Sequence, residues 1–246
     1  MSLKTLSFVI PTHKQEKTIL IDIKRLRKSL DSISANYEII IVADGKLSDI
    51  SKIVSKLKDK RIKVIGYEKN KGKGHAVRFG MLAAKGDIVG FKDAGMDLDP
   101  GEIPLMLDIM DWNKADIVLG SKLHPDSKVD YPFFRKVLSW GYRTLTRILF
   151  GFKVKDTQVG LKLFKKKVAK DIFSRIIIKR FAFDIEVLAV ASKLGYHKIY
   201  EAPVRLDFSK NTISNLNFWR VVFWMLWDTA AVFYRLRILH YYDKKQ

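Results

Sequence analysis

The chain has 246 residues, of which 48% are hydrophobic and 12% aromatic, and it carries no cysteine. This length is enough for one sizeable folded domain, and the missing cysteines exclude disulfide bonds and cysteine-ligated metal centres but not cations bound by oxygen. A formal net charge of +20 predicts an anionic partner, which is a nucleic acid, an anionic bilayer surface or a phosphorylated substrate.

Short apolar runs alternate with stretches of helical periodicity in the first hundred residues. The predicted strands are 6–10, 38–42, 62–67 and 87–91. The predicted helices between them are 17–32, 49–57 and 75–84. This repetition predicts an α/β fold with a mostly parallel central sheet flanked by helices. Because ligands of such sheets bind beyond the carboxyl ends of the strands, we expect four polar loops to meet there: 11–13, 44–45, 70–74 and 93–99.

The second half of the chain is less regular and shows no internal repeat. Its predicted elements are a strand at 116–119, a helix at 133–150, a loop at 155–160 and a helix at 184–194. No linker divides the chain, so we predict one catalytic domain over residues 1–212. An aromatic and basic helical tail follows over residues 213–246.

The loop that contains Lys73 lies between two glycines, Gly72 and Gly74. A dinucleotide-binding fingerprint needs a third glycine where this chain has Val77, so that interpretation is weak. Two other interpretations of this loop are equally favoured. In one, the backbone amides and Lys73 approach a phosphate at the start of the following helix; in the other, the loop is a solvated basic turn.

An acidic loop follows the strand that ends near residue 91, with Asp93, Asp97 and Asp99 close together. Hard cations take oxygen ligands and commonly use one or two carboxylates together with substrate phosphates. We therefore predict that Asp93 and Asp97 act in catalysis by holding Mg²⁺ or Mn²⁺ against a diphosphate leaving group. Asp99 precedes Pro100 and is assigned to capping a helix instead.

Seven short motifs carry a family resemblance. The segments 9–12, 42–45, 70–74 and 93–95 read VIPT, VADG, NKGKG and DAG. In this order they resemble the family 2 inverting glycosyltransferases, which have the Rossmann-like GT-A fold of nucleotide-sugar transferases. The segments 120–122, 156–164 and 181–186 read GSK, DTQVGLKLF and FAFDIE. They resemble the dolichyl-phosphate mannose and glucose synthases in particular.

The resemblance implies roles for matching residues. Those implied to bind the nucleotide sugar are Pro11, His13, Gln15, Val42, Asp44, Lys73, Asp93, Ala94, Arg205 and Ser209. Asp97 occupies a metal-ligand position that often holds glutamine. Three departures support an alternative, a degenerate binding protein without activity: Ala43 replaces an aspartate, Gln15 replaces a glutamate, and Gly95 removes the second acid of an Asp-x-Asp motif.

The acceptor side is predicted on the helix at 133–150, where apolar residues share one face and cations lie opposite. A solvated basic face is the ordinary interpretation. Arginine, however, binds phosphate well, and the resemblance implies a lipid phosphate here, held by Lys122, Arg135 and Ser139. A phosphate with a second pKa near 6 is already ionised and needs no general base. If the acceptor is instead a hydroxyl, Asp184 or Glu186 would serve as base.

The aromatic C-terminal tail contains too many charges to span a bilayer, and no stretch of about 18 apolar residues occurs elsewhere. Its tryptophan, phenylalanine and arginine residues suit either amphipathic helices at a membrane interface or a helix packed on the domain or on a partner. The N-terminus lacks a charged-then-apolar leader. We therefore expect a cytoplasmic protein that is peripheral on the cytoplasmic face of a membrane.

These observations predict an inverting, metal-dependent glycosyltransferase. It would move mannose or glucose from GDP-mannose or UDP-glucose onto a polyprenyl (dolichyl) phosphate. The nearest alternative is a family 2 enzyme that extends a glycan at a hydroxyl. The expected partners are the two substrates, a membrane surface, and a second copy of the chain or a membrane subunit. A nucleic acid, motivated only by the charge, is not expected.

Overall fold

The computed structural model describes residues 5–33, 35–95, 97–129, 133–206 and 218–243, and it leaves out the side chains of 129, 133–137 and 218. The strands are β1 Leu6–Thr12, β2 Tyr37–Asp44, β3 Ile62–Tyr67, β4 Ile88–Lys92, β5 Ile117–Ser121, β6 Lys128–Val129, β7 Leu161–Lys165, β8 Ile199–Pro203 and β9 Arg205–Leu206. The helices are α1 Ile19–Asp31, α2 Leu47–Ser55, α3 Lys73–Ala83, α4 Ile103–Trp112, α5 Phe133–Phe150, α6 Lys166–Phe173, α7 Phe183–Lys193 and α8 Phe218–Arg237.

Seven strands form the central sheet, in the order β3-β2-β1-β4-β7-β5-β8. The first four in this order are parallel, as are β5 and β8, whereas β7 runs antiparallel to both of its neighbours. The mostly parallel sheet predicted from the sequence is thus confirmed. Because β1, β2, β3 and β4 are adjacent and parallel, the four polar loops do follow strand ends at one edge.

Alternate residues of the buried strands point to two separate apolar layers, as the two-residue period of a strand requires. Val9 lies in the layer formed with α3, α6 and α7, while its neighbours Phe8 and Ile10 lie in the layer formed with α1, α2 and α4. The sheet is therefore covered by helices on both faces. This leaves its carboxyl edge as the place for a ligand.

Helix α8 is packed on the domain along one face only. Val232 and Leu236 are buried in the main core, and the hydroxyls of Tyr142 on α5 and Thr229 on α8 lie 2.7 Å apart. On its other face Trp219 and Phe223 are exposed. The tail predicted at 213–246 therefore adds residues to the main core, and the predicted boundary at residue 212 lies outside the described residues. Among the described helices, none combines the length and apolar character needed to cross a bilayer.

Candidate functional site

The acidic loop leaves the sheet at the end of β4 and rests on the segment before β7. The N–H group of Asp93 donates to the carbonyl of Gly160 at 2.7 Å. A Cβ on Gly160 would lie only 1.9 Å from Oδ2 of Asp93. Only glycine fits at position 160. The Asp93 carboxylate can take its position because residue 160 has no side chain.

A buried ion pair shapes the rest of the acidic loop. Lys92 and Asp22 are both fully buried, with Nζ 3.3 Å from Oδ1, and Nζ also donates to the carbonyls of Asp93 and Gly95. The second oxygen of Asp22 accepts the N–H of Gly95 at 2.8 Å. Gly95 has a φ of +117°, which L side chains rarely adopt. An acid at position 95 would therefore strain this loop.

Four charged side chains form a chain that leads from the acidic loop into the core. Nζ of Lys73 donates to Oδ2 of Asp93 at 2.7 Å and lies 4.0 Å from Oδ2 of Asp184. Lys162 in turn donates to the other oxygen of Asp184. Burial alone would lower the pKa of Lys73, but Asp93 and Asp184 raise it above its usual value. Burial raises the pKa of Asp184, although Lys162 and Lys73 oppose that shift.

The acidic loop has the donor chemistry of a divalent cation site. Oδ1 of Asp93 is buried and accepts no hydrogen bond within the described part of the chain. Asp97 lines the same cavity as Asp93. Among the described residues, no three acidic or histidine side chains are grouped so that they could hold a metal ion by themselves. These residues fit Mg²⁺ or Mn²⁺ that takes its remaining ligands from substrate phosphates.

The glycine loop is held by Asp44 at the end of β2. Its carboxylate accepts the backbone N–H groups of Lys71 at 2.6 Å and Gly72 at 3.0 Å, and the side-chain amide of Asn70 at 2.8 Å. The N–H group of Gly74 donates to the carbonyl of Lys179. Three amides that one interpretation offered to a phosphate are thus bonded within the protein. The prediction that this loop binds a phosphate therefore depends on the side chain of Lys73.

The other residues implied to contact the base and ribose lie near Asp44 but differ in exposure. A ring nitrogen of His13, which is exposed, lies 2.9 Å from the carbonyl oxygen of Asp44. Gln15 accepts a hydrogen bond from Thr18 at the start of α1. Pro11 is buried at the end of β1, and Val42 is fully buried. The side chain of Val42 packs beside Gly80 of α3, and its strand pairs with a neighbour on each side.

A cavity of about 760 Å³ extends from the acidic loop to helices α5 and α8. The charged residues Asp93, Asp97 and Lys122 line it, together with Ser139. The rest of its wall is mainly apolar: Ala94, Leu98, Leu138, Trp140, Tyr142, Leu145, Val159, Leu206, Val221, Val222, Met225 and Leu226. The cavity thus combines a few charged groups with a mainly apolar wall.

Four residues predicted on the phosphate-binding side have different positions. Lys122 lines the cavity, with Nζ 3.8 Å from a carboxylate oxygen of Asp156. Arg205 is mostly exposed and pairs with Glu102 at 2.9 Å. The side chain of Arg135 and the whole of Ser209 lie outside the described residues. Lys122 and Ser139 are therefore the predicted acceptor residues that the structure places together.

Neither of the two carboxylates considered as a general base is available to an acceptor. Asp184 is engaged by Lys162, as described above. Glu186 is fully buried; one oxygen accepts the N–H groups of Ile177 and Ile178, and the other accepts the hydroxyl of Tyr242 at 2.6 Å. Burial raises the pKa of Glu186, although these hydrogen bonds oppose the shift. Both acids are thus occupied by hydrogen-bond partners inside the protein.

Three residues that shape the site were not singled out from the sequence: Asp22, Gly160 and Lys162. Asp22 lies in the apolar stripe of α1 beside Ile19, Ile23 and Leu26, and an acid in such a stripe is a signal of a buried ion pair. Lys162 gives the same signal within a strand. For Gly160 the sequence offers no comparable signal, since its role depends on a contact across the sheet.

Comparisons with known proteins agree with this geometry. The family model described as glycosyl transferase family 2 matches residues 7–173. The human dolichyl-phosphate beta-glucosyltransferase is 31% identical over 96% of this chain and 76% of its own length. The Saccharomyces cerevisiae protein of that name is 28% identical over 85% of this chain and 70% of its own length.

Solved structures show the same fold. Glucosyl-3-phosphoglycerate synthase from Mycobacterium tuberculosis, solved with Mn²⁺, UDP and glucosyl-3-phosphoglycerate, superposes with a TM-score of 0.67. It is 17% identical, and the match covers 94% of this chain and 79% of that one. The GT-A fold implied by the sequence motifs is confirmed.

Proposed function

The chain belongs to glycosyl transferase family 2, and on this basis we propose that it transfers glucose from UDP-glucose to a polyprenyl phosphate such as dolichyl phosphate. One observation carries the proposal: a single cavity is lined both by carboxylates and a lysine and by a mainly apolar wall. A lipid phosphate needs charged groups for its phosphate and an apolar surface for its hydrocarbon chain. The relatives named for this reaction, together with the UDP bound in the similar structure, favour glucose over mannose.

The state of the buried acids favours a phosphate acceptor. A hydroxyl acceptor needs a base to take its proton, but Asp184 and Glu186 are both occupied inside the protein. A phosphate monoester is largely ionised at neutral pH and attacks without one. Its oxygen forms the new bond to the anomeric carbon while the bond to UDP breaks on the opposite face. The product is a β-glucosyl lipid phosphate.

The residues that line the cavity then have defined roles. Asp93 and Asp97 would hold the divalent cation, which would neutralise charge on the departing diphosphate. Lys73, which reaches Asp93, adds a positive charge to the same region. Lys122 and Ser139 bind the acceptor phosphate, and the groove between α5 and α8 takes its first isoprene units. The proposal requires no catalytic base.

Two departures from the family pattern have structural reasons. Gly95, where an acid is usual, has a positive φ and donates to Asp22. Ala43 is fully buried in the core. Both changes are compatible with an intact site, so they do not favour a binding protein without activity.

The exposed face of α8 suits a membrane surface. Trp219, Phe223 and Trp227, here called the aromatic ridge, recur every four residues and are 70%, 59% and 61% exposed. Trp140, on the wall of the cavity, is also exposed. Tryptophan side chains favour the bilayer interface, and the net charge of +20 favours anionic lipid. The proposal therefore places the protein peripherally on a membrane, and the absence of cysteine suits the cytoplasmic face.

The experiment is a donor comparison. Purified protein is incubated with a short polyprenyl phosphate, Mn²⁺ and either radiolabelled UDP-glucose or GDP-mannose, and the products are extracted into chloroform and methanol. Label from UDP-glucose should enter the organic phase. Label from GDP-mannose alone would overturn the choice of sugar, and no organic-phase label from either donor would overturn the proposed function.

A further inference from the structure

The ion pair between Lys73 and Asp93 creates a conflict with the proposed cation site. Nζ of Lys73 donates to Oδ2 of Asp93 at 2.7 Å, and Asp93 is the carboxylate assigned to the divalent cation. A lysine ammonium and a divalent cation repel each other when they share one carboxylate. The contact seen here therefore opposes binding of the cation in the absence of nucleotide.

Lys73 has a second counter-charge within reach. Oδ2 of Asp184 lies 4.0 Å from Nζ of Lys73, and the ammonium also lies 5.3 Å from the ring centroid of Phe183. The ammonium can therefore leave Asp93 without losing all of its favourable electrostatic contacts.

The backbone around Lys73 is fixed, so such an exchange needs only side-chain rotation. The N–H group of Gly72 is bonded to Asp44, and that of Gly74 to the carbonyl of Lys179. A Cβ on Gly72 would lie 2.4 Å from the same carbonyl oxygen, so the loop and its neighbour are in close contact. A side-chain rotation changes one contact and leaves the site otherwise in place.

We propose that Lys73 is an exchangeable counter-cation of Asp93. In the nucleotide-free protein its ammonium neutralises the carboxylate. A bound nucleoside diphosphate draws the ammonium to its own oxygens, and Asp93 becomes available to the divalent cation. The inference rests on the proposed function for the identity of the nucleotide and the cation. It adds that Lys73 weakens cation binding until the donor is present.

A fixed supporting role for Lys73 predicts the opposite behaviour. If the lysine only held Asp93 in position for the cation, its removal would weaken cation binding with or without nucleotide. If it is exchanged, its removal strengthens cation binding in the nucleotide-free protein. UDP oxygens are themselves cation ligands, so tightening by UDP in the wild type does not separate the two cases. The affinity of the nucleotide-free protein for the cation does separate them.

The test is a Mn²⁺ titration of the full chain, followed by electron paramagnetic resonance, with and without saturating UDP. Lys73→Met should bind Mn²⁺ about fivefold or more tightly than the wild type without UDP, and the tightening caused by UDP should shrink by about the same factor. Lys73→Arg keeps the positive charge and, unlike Lys73→Met, should not tighten Mn²⁺ binding in the absence of UDP. Lys69→Met removes an exposed lysine from the same loop and controls for net charge.

Each outcome decides the matter. Unchanged or weaker nucleotide-free Mn²⁺ binding in Lys73→Met overturns the inference but leaves the proposed function standing. A wild-type protein that binds neither Mn²⁺ nor UDP overturns both. Thermal denaturation checks folding, and Lys73→Gln, which keeps a polar side chain beside Asp184, is titrated in the same way if the methionine variant is unfolded.

Discussion

Gly160 and Asp93 are in direct contact: the carbonyl of the glycine accepts the N–H group of the aspartate at 2.7 Å, and its Cα faces the carboxylate. Two segments that are far apart in the sequence thus define one site. The acidic loop carries the carboxylate of Asp93, and Gly160 leaves space for it because it has no side chain. This contact also explains why a glycine precedes the antiparallel strand β7.

Gly160→Ala should reduce glucosyl transfer by about 100-fold or more, because a Cβ 1.9 Å from Oδ2 must displace the Asp93 carboxylate. Gly101→Ala is the matched control, since its added methyl group meets Asp99 at an ordinary distance of 3.5 Å. Initial rates of both variants, at saturating donor, test the prediction. An alanine variant at 160 with normal turnover would mean that Asp93 need not be held where the structure places it.

Asp97→Ala should lower the affinity for Mn²⁺ by roughly 10-fold to 100-fold, because one of the two carboxylates that line the cavity is lost. Excess metal should restore part of the turnover of Asp97→Ala. A chelator should abolish turnover in both the wild type and Asp97→Ala. Asp49→Ala removes an exposed acid from α2 and controls for charge. If Asp97→Ala keeps the wild-type metal dependence, the cation depends on Asp93 alone.

Lys92→Met should destabilise the protein by about 3–5 kcal/mol, because it leaves the carboxylate of Asp22 buried without its ion-pair partner. Asp22→Asn combined with Lys92→Met should cost less than the sum of the single changes, since no buried charge is then unpaired. Chemical denaturation of the four proteins measures this. Additive effects would show that the two residues do not act as a pair.

Replacing the aromatic ridge by serine, in the triple variant Trp219→Ser, Phe223→Ser and Trp227→Ser, should weaken binding to anionic vesicles at least tenfold. Each side chain that enters the interface contributes up to about 1.5–3 kcal/mol. Trp112→Ser is the control, because Trp112 is 74% exposed on α4, which packs on the opposite face of the sheet. Equal vesicle binding by the triple variant and the control would remove the ridge from the membrane contact.

The first four strands could be predicted from the sequence because buried parallel strands are continuous apolar runs. Strand β7 was not predicted. Its apolar pattern is interrupted by Lys162, whose charge is compensated by Asp184 on α7. Asp99 accepts the N–H group of Gly101 and so caps a helix as predicted, but this is a short 3-10 helix, Pro100–Glu102, that leads into α4.

The site was predicted where its chemistry lies within one loop and missed where it depends on distant partners. Asp93 and Asp97 follow one strand and were identified together. By contrast, Asp44 takes the amides that were considered for a phosphate, and the sequence does not show that this carboxylate reaches residues 71 and 72. The alternatives for α8 also needed the structure, since one face packs on the core and the other is exposed.

The most direct test of the account compares two acceptors that differ only in their phosphate. The protein is given radiolabelled UDP-glucose with either a polyprenyl phosphate or the corresponding polyprenol, and organic-phase label is measured over the same time course. The account predicts label only with the phosphate, released as glucose by mild acid, because Asp184 and Glu186 are unavailable as bases. Comparable transfer to the polyprenol would contradict it.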